Sequence, residues 1–198
     1  MAAETPGTES IEYRDRLVRL QTARWKRWLH VQAPYRWHIR RMATGTTLEV
    51  GRGIGRNLAY LRGNAVGIDH NPACVEEARR QGLPALTPKE FRRAVRQEQF
   101  DNLLFSHVLE HMTLEQARNL VIEYAPRLAS GGRVIVITPQ ELGQGSDPAH
   151  VTFLDFGKLA ALAATTGFRA ERAYSFPFPR SVGKWFRYNE FVSIWRRP

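Results

Sequence analysis

Two groups of residues in this sequence have the types and spacing of chemistry. The first is LEVGRGIGRNL, residues 48–58, where an apolar run enters Gly51, Gly53 and Gly55. Glycines serve where a backbone turns sharply and approaches a ligand without side-chain interference, and a helix beginning just beyond offers free N–H groups. Twenty residues after Glu49 stands Asp69, closing the apolar run AVGID. A carboxylate there has two acceptor oxygens for the vicinal hydroxyls of a ribose. An Asp after a parallel strand can also be a plain helix cap, but the turn and the acid together predict a nucleotide-like cofactor. Arg56 stands where the dinucleotide fingerprint has its third glycine, so a nicotinamide or flavin fits poorly.

The second group is histidine-rich: His107 and His111 in SHVLEHM, and His150 at the end of TPQELGQGSDPAH. Imidazole is the side chain best matched to moving a proton near neutral pH. We expect His150 to be the base, oriented by Asp147 or Glu141; a loop anchor hydrogen-bonded to backbone is the competing reading. Glu141, Asp147 and His150 also offer a site to a divalent cation such as Mg²⁺, which takes oxygen ligands and keeps several waters, although their spacing matches no tight metal motif.

The elements that must position these residues follow from the pattern. From Thr46 onward short β-rich runs alternate with helical ones: TTLEV then NLAYLR, AVGID then PACVEEARRQ, DNLLFSH then LEQARNLVIEYAPRLA, RVIVIT then FGKLAALAATT. Such alternation predicts a parallel sheet covered by helices on both faces. Asn71-Pro72 reads as a helix start that Gly82 stops, Thr113 with Gln116 as a capping box on a helix ending at Gly131-Gly132, and Asp155 as a cap on a helix closed by Gly167. Two further strands, near 168–175 and 190–195, are joined by FPFPRSVGKWFRYN. In open α/β sheets ligands bind beyond the carboxyl ends of strands, which places the segments after the fourth and fifth strands at the acceptor.

The chain has 198 residues, 43% hydrophobic and 24% charged, enough for one domain with its own core and without the apolar runs of a membrane span. Residues 1–10 read as a disordered tail, 11–42 as a helical cap broken at Pro34, with Tyr35 to Met42 as its second piece, and 46–198 as the α/β core, 11–198 forming one domain. The start lacks the basic and apolar regions of a secretory signal, and the single Cys74 excludes an internal disulfide or multi-cysteine zinc site, so the cytoplasm is the expected location. The net charge of +10 lies at the two ends: nine basic against two acidic side chains over 11–42, and five against one over 180–198. Those ends either converge on a face that attracts an anionic partner or are solvated. Trp25, Trp28, Tyr35, Trp37, Phe176, Phe178 and Trp185 read for the most part as core sealing the sheet edges; with Arg36, Arg180 and Tyr188 they are alternatively a lid suited to a sugar.

LEVGRGIGRNL, VGIDHNP, FDNLLFSHVLEHM and GGRVIVITP resemble the ordered motifs of class I S-adenosylmethionine-dependent methyltransferases over about residues 46–168. The resemblance implies a Rossmann-like seven-stranded sheet, mostly parallel with one reversed strand, behind the N-terminal helical extension, and S-adenosylmethionine as cofactor. It implies that Glu49, Gly51, Gly53 and Gly55 surround the methionine end, that Asp69, followed by His70, holds the ribose, and that Phe105, Ser106 and His107 flank the sulfonium. The acid that often reads adenine is missing after the third strand, where Thr87 stands. Glu110-His111 recurs in such enzymes with unlike substrates and reads as a loop-orienting pair. PYRWHIRR, ITPQE, DPAHVTF and SFPFPR are similar to small bacterial sugar (mannoside) O-methyltransferases. The expected acceptor is a small molecule or oligosaccharide, with RNA as the alternative suggested by the charge, and a cofactor-binding protein without catalysis as a third reading. No oligomeric state can be read from the sequence.

Overall fold

The computed structural model describes residues 32–198 apart from 52, 54, 62 and 96–98. The expected tail over 1–10 and the helix expected over 11–32, as far as residue 31, lie outside the described residues. The chain then enters helix α1, Ala33–Met42, which takes Pro34 into its first turn, where the missing N–H has no helical partner to lose. Strands and helices alternate from there: β1 Thr47–Val50, α2 Arg56–Leu61, β2 Ala65–Ile68, α3 Pro72–Arg80, β3 Ala85–Leu86, α4 Pro88–Ala94, β4 Phe100–Ser106, a 3₁₀ turn Leu109–His111, and α5 Leu114–Tyr124. They continue with a 3₁₀ turn Ala125–Arg127, β5 Leu128–Pro139, α6 Glu141–Gln144, α7 Phe156–Thr165, β6 Arg169–Phe176, a 3₁₀ turn Arg180–Lys184, and β7 Glu190–Arg196.

The seven strands form one sheet in the order β3-β2-β1-β4-β5-β7-β6. β7 runs against both of its neighbours and the other pairs are parallel. This is the Rossmann-like, mostly parallel arrangement with one reversed strand. The central strands carry apolar residues on successive positions because both faces are covered: Leu103, Phe105, Val134 and Val136 join one core cluster with α5 and α7, while Leu104, Ile135 and Ile137 join another with α1 and α2. The outer strand β6 instead shows Arg169, Glu171 and Arg172 to solvent, as an unpaired sheet edge requires.

Local capping chemistry forms where the sequence predicts it. The Asn71 side chain accepts from Ala73 N–H, Thr113 and Gln116 make a reciprocal box, and the Asp155 side chain accepts from Lys158 N–H. One boundary differs. α5 stops at Tyr124, not at Gly131-Gly132, because Pro126 cannot donate to the helical ladder; both glycines lie inside β5. Among the described residues no helix is long and apolar enough to cross a membrane.

Candidate active site

Strand order reverses between β1 and β4, the place where open α/β sheets hold ligands, and the glycine turn emerges there. Gly51, Gly53 and Gly55 have φ of 71°, 55° and 86°. That left-handed backbone costs an L residue about 1–2 kcal/mol. At Gly51 there is also no room, since a Cβ would meet Cγ2 of Val108, just after β4, at 2.3 Å. Glu49 is buried beneath the turn and its Oε1 accepts from Asn57 Nδ2 at 2.6 Å, tying β1 to the helix that follows.

Asp69 closes the other side of the turn. Its Oδ2 accepts from Gly53 N–H at 2.7 Å and its Oδ1 from Asn71 N–H at 2.9 Å. These contacts set the turn and the cap. His70 is half-exposed beside it, Nδ1 3.6 Å from Asp69 Oδ1. Three other residues expected at the cofactor are Thr87, Phe105 and Ser106. Thr87 caps α4: its amide and hydroxyl donate to Glu90 Oε2 at 2.7 and 2.9 Å, and its hydroxyl accepts from Glu90 N–H, so this side chain is engaged in a capping box. The Phe105 ring is fully buried in the core, which leaves only its backbone at the strand end. Ser106 is buried at the end of β4.

His107, the next residue, is the one described non-glycine with positive φ, at 55°. For a side chain of this kind that backbone is uncommon and marks a constrained site. Its Nε2 lies 2.9 Å from Glu190 Oε1 and its Nδ1 3.3 Å from Glu110 Oε1. Burial pushes the imidazole down, but the hydrogen bonds and charges of Glu110 and Glu190 outweigh it and raise the pKa to about 9. His107 is therefore a cation donating from both nitrogens. Sequence reasoning missed Glu190; β7 is reversed, so its first residue arrives at the carboxyl edge opposite Pro139.

The loops after β4 and β5 are stitched together. Val151 and Thr152 N–H both donate to the Glu110 carbonyl, at 2.7 and 3.0 Å, and the Thr152 hydroxyl donates to the Met112 carbonyl at 2.6 Å. This brings His111 against His150, ring centroids 4.7 Å apart. His111 Nδ1 donates to the Ala149 carbonyl at 3.1 Å and His150 Nδ1 to the Gln144 carbonyl at 2.9 Å. In a neutral ring that tautomer leaves the lone pair on Nε2. Burial holds the His111 imidazole below its ordinary range, against the Glu110 charge that raises it.

Of the two expected orienting acids, Glu141 is used elsewhere. Glu141 takes both guanidinium nitrogens of Arg180, whose hydrogen bonds hold the carboxyl below its usual range. Asp147 Oδ1 accepts from Ala149 N–H at 3.1 Å, shaping the loop. The ring of His150 is thus set by the Gln144 carbonyl and not by Glu141. Glu110, His111 and His150 offer one metal-ligand atom each, all within 4.8 Å of one another, a grouping that includes neither Glu141 nor Asp147.

Above these loops runs the segment 177–189. It is held by polar contacts: Asn189 Nδ2 donates to Gln140 Oε1 at 3.0 Å, Gln140 Nε2 to Ser175 Oγ at 2.8 Å, and Phe178 N–H to Asn189 Oδ1 at 2.9 Å. Because the backbone is fixed this way, its aromatic rings need not be buried, and the expectation of core fails for several: Trp185 is 85% and Phe178 47% exposed, with Tyr188 at 46%, and on α1 Trp37 is 59% exposed. Phe186 sits edge-on to both Phe178 and Tyr188. Tyr35 donates to the Tyr188 carbonyl at 2.7 Å and His38 stacks on Phe176, so α1 and this segment do converge. Trp25 and Trp28 lie outside the described residues.

Comparison with known proteins agrees with this architecture. Residues 48–136 match the family model described as a methyltransferase domain. No curated protein matches the sequence. A SAM-dependent methyltransferase from Archaeoglobus fulgidus superposes with a TM-score of 0.66 at 15% identity, covering 84% of this chain and 93% of that one. The DhpI complex with SAH gives 0.66 at 17%, covering 94% and 93%. Magnesium protoporphyrin IX methyltransferase (ChlM) from Synechocystis PCC 6803 with bound SAM gives 0.61 at 13%, covering the whole of both chains. At such identities the likeness is one of fold.

Proposed function

We propose that this chain, which matches a methyltransferase-domain family model over residues 48–136, transfers a methyl group from S-adenosylmethionine to a hydroxyl of a small polar acceptor, a sugar or an oligosaccharide of the mannoside kind. One observation carries the cofactor half: three glycines with positive φ at the strand-order reversal, bridged by a hydrogen bond to the carboxylate at the tip of β2. The turn gives the methionine end backbone without side chains, and Asp69 gives the ribose hydroxyls an acceptor. Two solved structures of the same fold contain SAM or SAH, in keeping with this.

The acceptor half rests on the loops after β4 and β5. Transfer is an in-line displacement: the hydroxyl oxygen forms a bond to the methyl carbon, and the carbon–sulfur bond breaks with its electron pair returning to the sulfonium sulfur. Position and alignment supply much of the rate. The hydroxyl proton must also leave, and the Nε2 lone pair of His150, with its Nδ1 fixed on Gln144, is the group assigned to labilise it. His107 cannot take that role near neutral pH, since it already carries its second proton between Glu110 and Glu190. The exposed rings of Trp37, Phe178, Trp185 and Tyr188 offer apolar faces of the sort on which sugar rings stack.

The test is incubation with methyl-labelled S-adenosylmethionine and separate pools of glycans, polar metabolites and RNA. Label in a glycan or metabolite fraction, insensitive to moderate salt, is expected. Label in RNA that fades steeply as ionic strength rises would replace the sugar reading with a nucleic-acid one. Cofactor binding with no transfer to any pool would leave a binding protein.

A further inference from the structure

We infer that Glu110, His111 and His150 form a binding site for one divalent transition-metal cation of the zinc, cobalt or manganese kind, placed where the acceptor hydroxyl is to be activated. The inference rests on the acceptor side proposed above and gives His150 the part of a metal ligand in place of that of the base.

Three independent features meet here. The first is proximity: the three side chains offer ligand atoms within 4.8 Å of one another, close enough that a small side-chain adjustment brings them around one cation. The second is ring orientation. Both imidazoles give their Nδ1–H to a backbone carbonyl, His111 to Ala149 and His150 to Gln144, which fixes the tautomer and leaves each Nε2 lone pair for a ligand. Metal-bound histidines are held by such outer hydrogen bonds. The third is Glu110 itself. It is fully buried, its Oε1 faces His107, and its Oε2 has no hydrogen-bond partner among the described residues. A buried carboxylate oxygen left without a partner carries a desolvation cost that a coordinated cation removes.

The donor set selects the metal. Mg²⁺ and Ca²⁺ prefer oxygen and would find only one carboxylate, whereas two imidazoles and a carboxylate suit borderline first-row ions. Three protein ligands also leave a position open, the form of catalytic and not of structural sites. A cation there acts as a Lewis acid on an oxygen that enters the open position. The acceptor hydroxyl then loses its proton to a solvent base, and its oxygen takes the methyl carbon as sulfur takes the carbon–sulfur electron pair. His150 serves this step as a ligand.

The experiment uses the full chain stripped with a chelator and dialysed. Co²⁺ is titrated while its visible absorption bands are followed, and binding of SAH is measured in parallel by calorimetry. The expected result is saturation near one equivalent, with affinity roughly 100-fold or more weaker in both Glu110→Gln and His150→Ala. SAH affinity should be unchanged in His150→Ala, which shows that the variant is folded. Absence of saturable Co²⁺ binding by the wild type, or equal binding by both variants, overturns the site. Because the two titrations are separate, loss of SAH binding with Co²⁺ binding intact counts against the cofactor reading alone, and SAH binding without Co²⁺ binding counts against the cation site alone.

Discussion

Replacing Gly51 by alanine tests the turn at its tightest point. Two costs are separable in the structure. The backbone at φ 71° disfavours any L residue by about 1–2 kcal/mol. The new Cβ would lie 2.3 Å from Val108 Cγ2 and 2.7 Å from Val108 Cβ, so Val108 must shift within a packed region, for about 1–3 kcal/mol more. The sum of about 2–5 kcal/mol should lower the melting temperature by about 4–20 °C and weaken SAH binding, since the displaced turn is the proposed seat of the cofactor. Val108→Ala removes both Cγ atoms but keeps the Cβ at 2.7 Å. The double variant should therefore recover about 1–2 kcal/mol relative to the sum of the singles, a coupling of the size seen between contacting side chains. Urea denaturation of the four proteins, with calorimetric titration of SAH, reads both quantities. Strictly additive effects, or a Gly51→Ala protein with unaltered stability and affinity, would refute the argument.

Three other outcomes follow from the same geometry. Asp69→Asn should weaken SAH binding by about 10- to 100-fold, the size expected for hydrogen bonds to a charged acceptor; an unchanged calorimetric affinity would remove Asp69 from the site. His38 is stacked on Phe176 and buried, which lowers its pKa from 6.5 to about 4. The unfolded chain then binds a proton that the folded one refuses, so about 3 kcal/mol of stability is present above pH 6.5 and is lost as the pH falls toward 4; a histidine NMR titration placing His38 near 6.5 contradicts this. Gly183→Ala should destabilise the protein by about 1–3 kcal/mol, since its Cβ would fall 1.8 Å from Oε1 of the buried Gln140, and should raise the acceptor KM without changing SAH affinity; steady-state kinetics and thermal melts decide it.

What could be read before folding was the local and the periodic. Asn71, Thr113 and Asp155 cap their helices through contacts two or three residues away, so their roles are written in adjacent letters. The alternation of apolar runs and helices gave the sheet, because central strands buried on both faces have no polar side to interrupt them. What escaped depends on contacts between distant segments. His111 and His150 are brought together by strand neighbours β4 and β5, and a reader who followed that adjacency could have paired the loops. Glu190 needed the reversed direction of β7. The outward rings of Trp185 and Phe178 run against hydrophobicity itself, since the Gln140–Asn189 hydrogen bonds, and not apolar burial, hold that segment.

The placement of β7 between β5 and β6 bears on how the protein is made on the ribosome. β5 and β6 both leave the exit tunnel before the strand that joins them, so each waits with an open flank. During that interval the flank of β5 offers the apolar run from Val134 to Ile137 to any passing chain. The charged residues of β6 discourage it from adding to another copy while it waits. Completion of the nascent sheet is thus a late event of synthesis, and slowed translation just upstream of residue 190 should lengthen the period in which chaperones are needed.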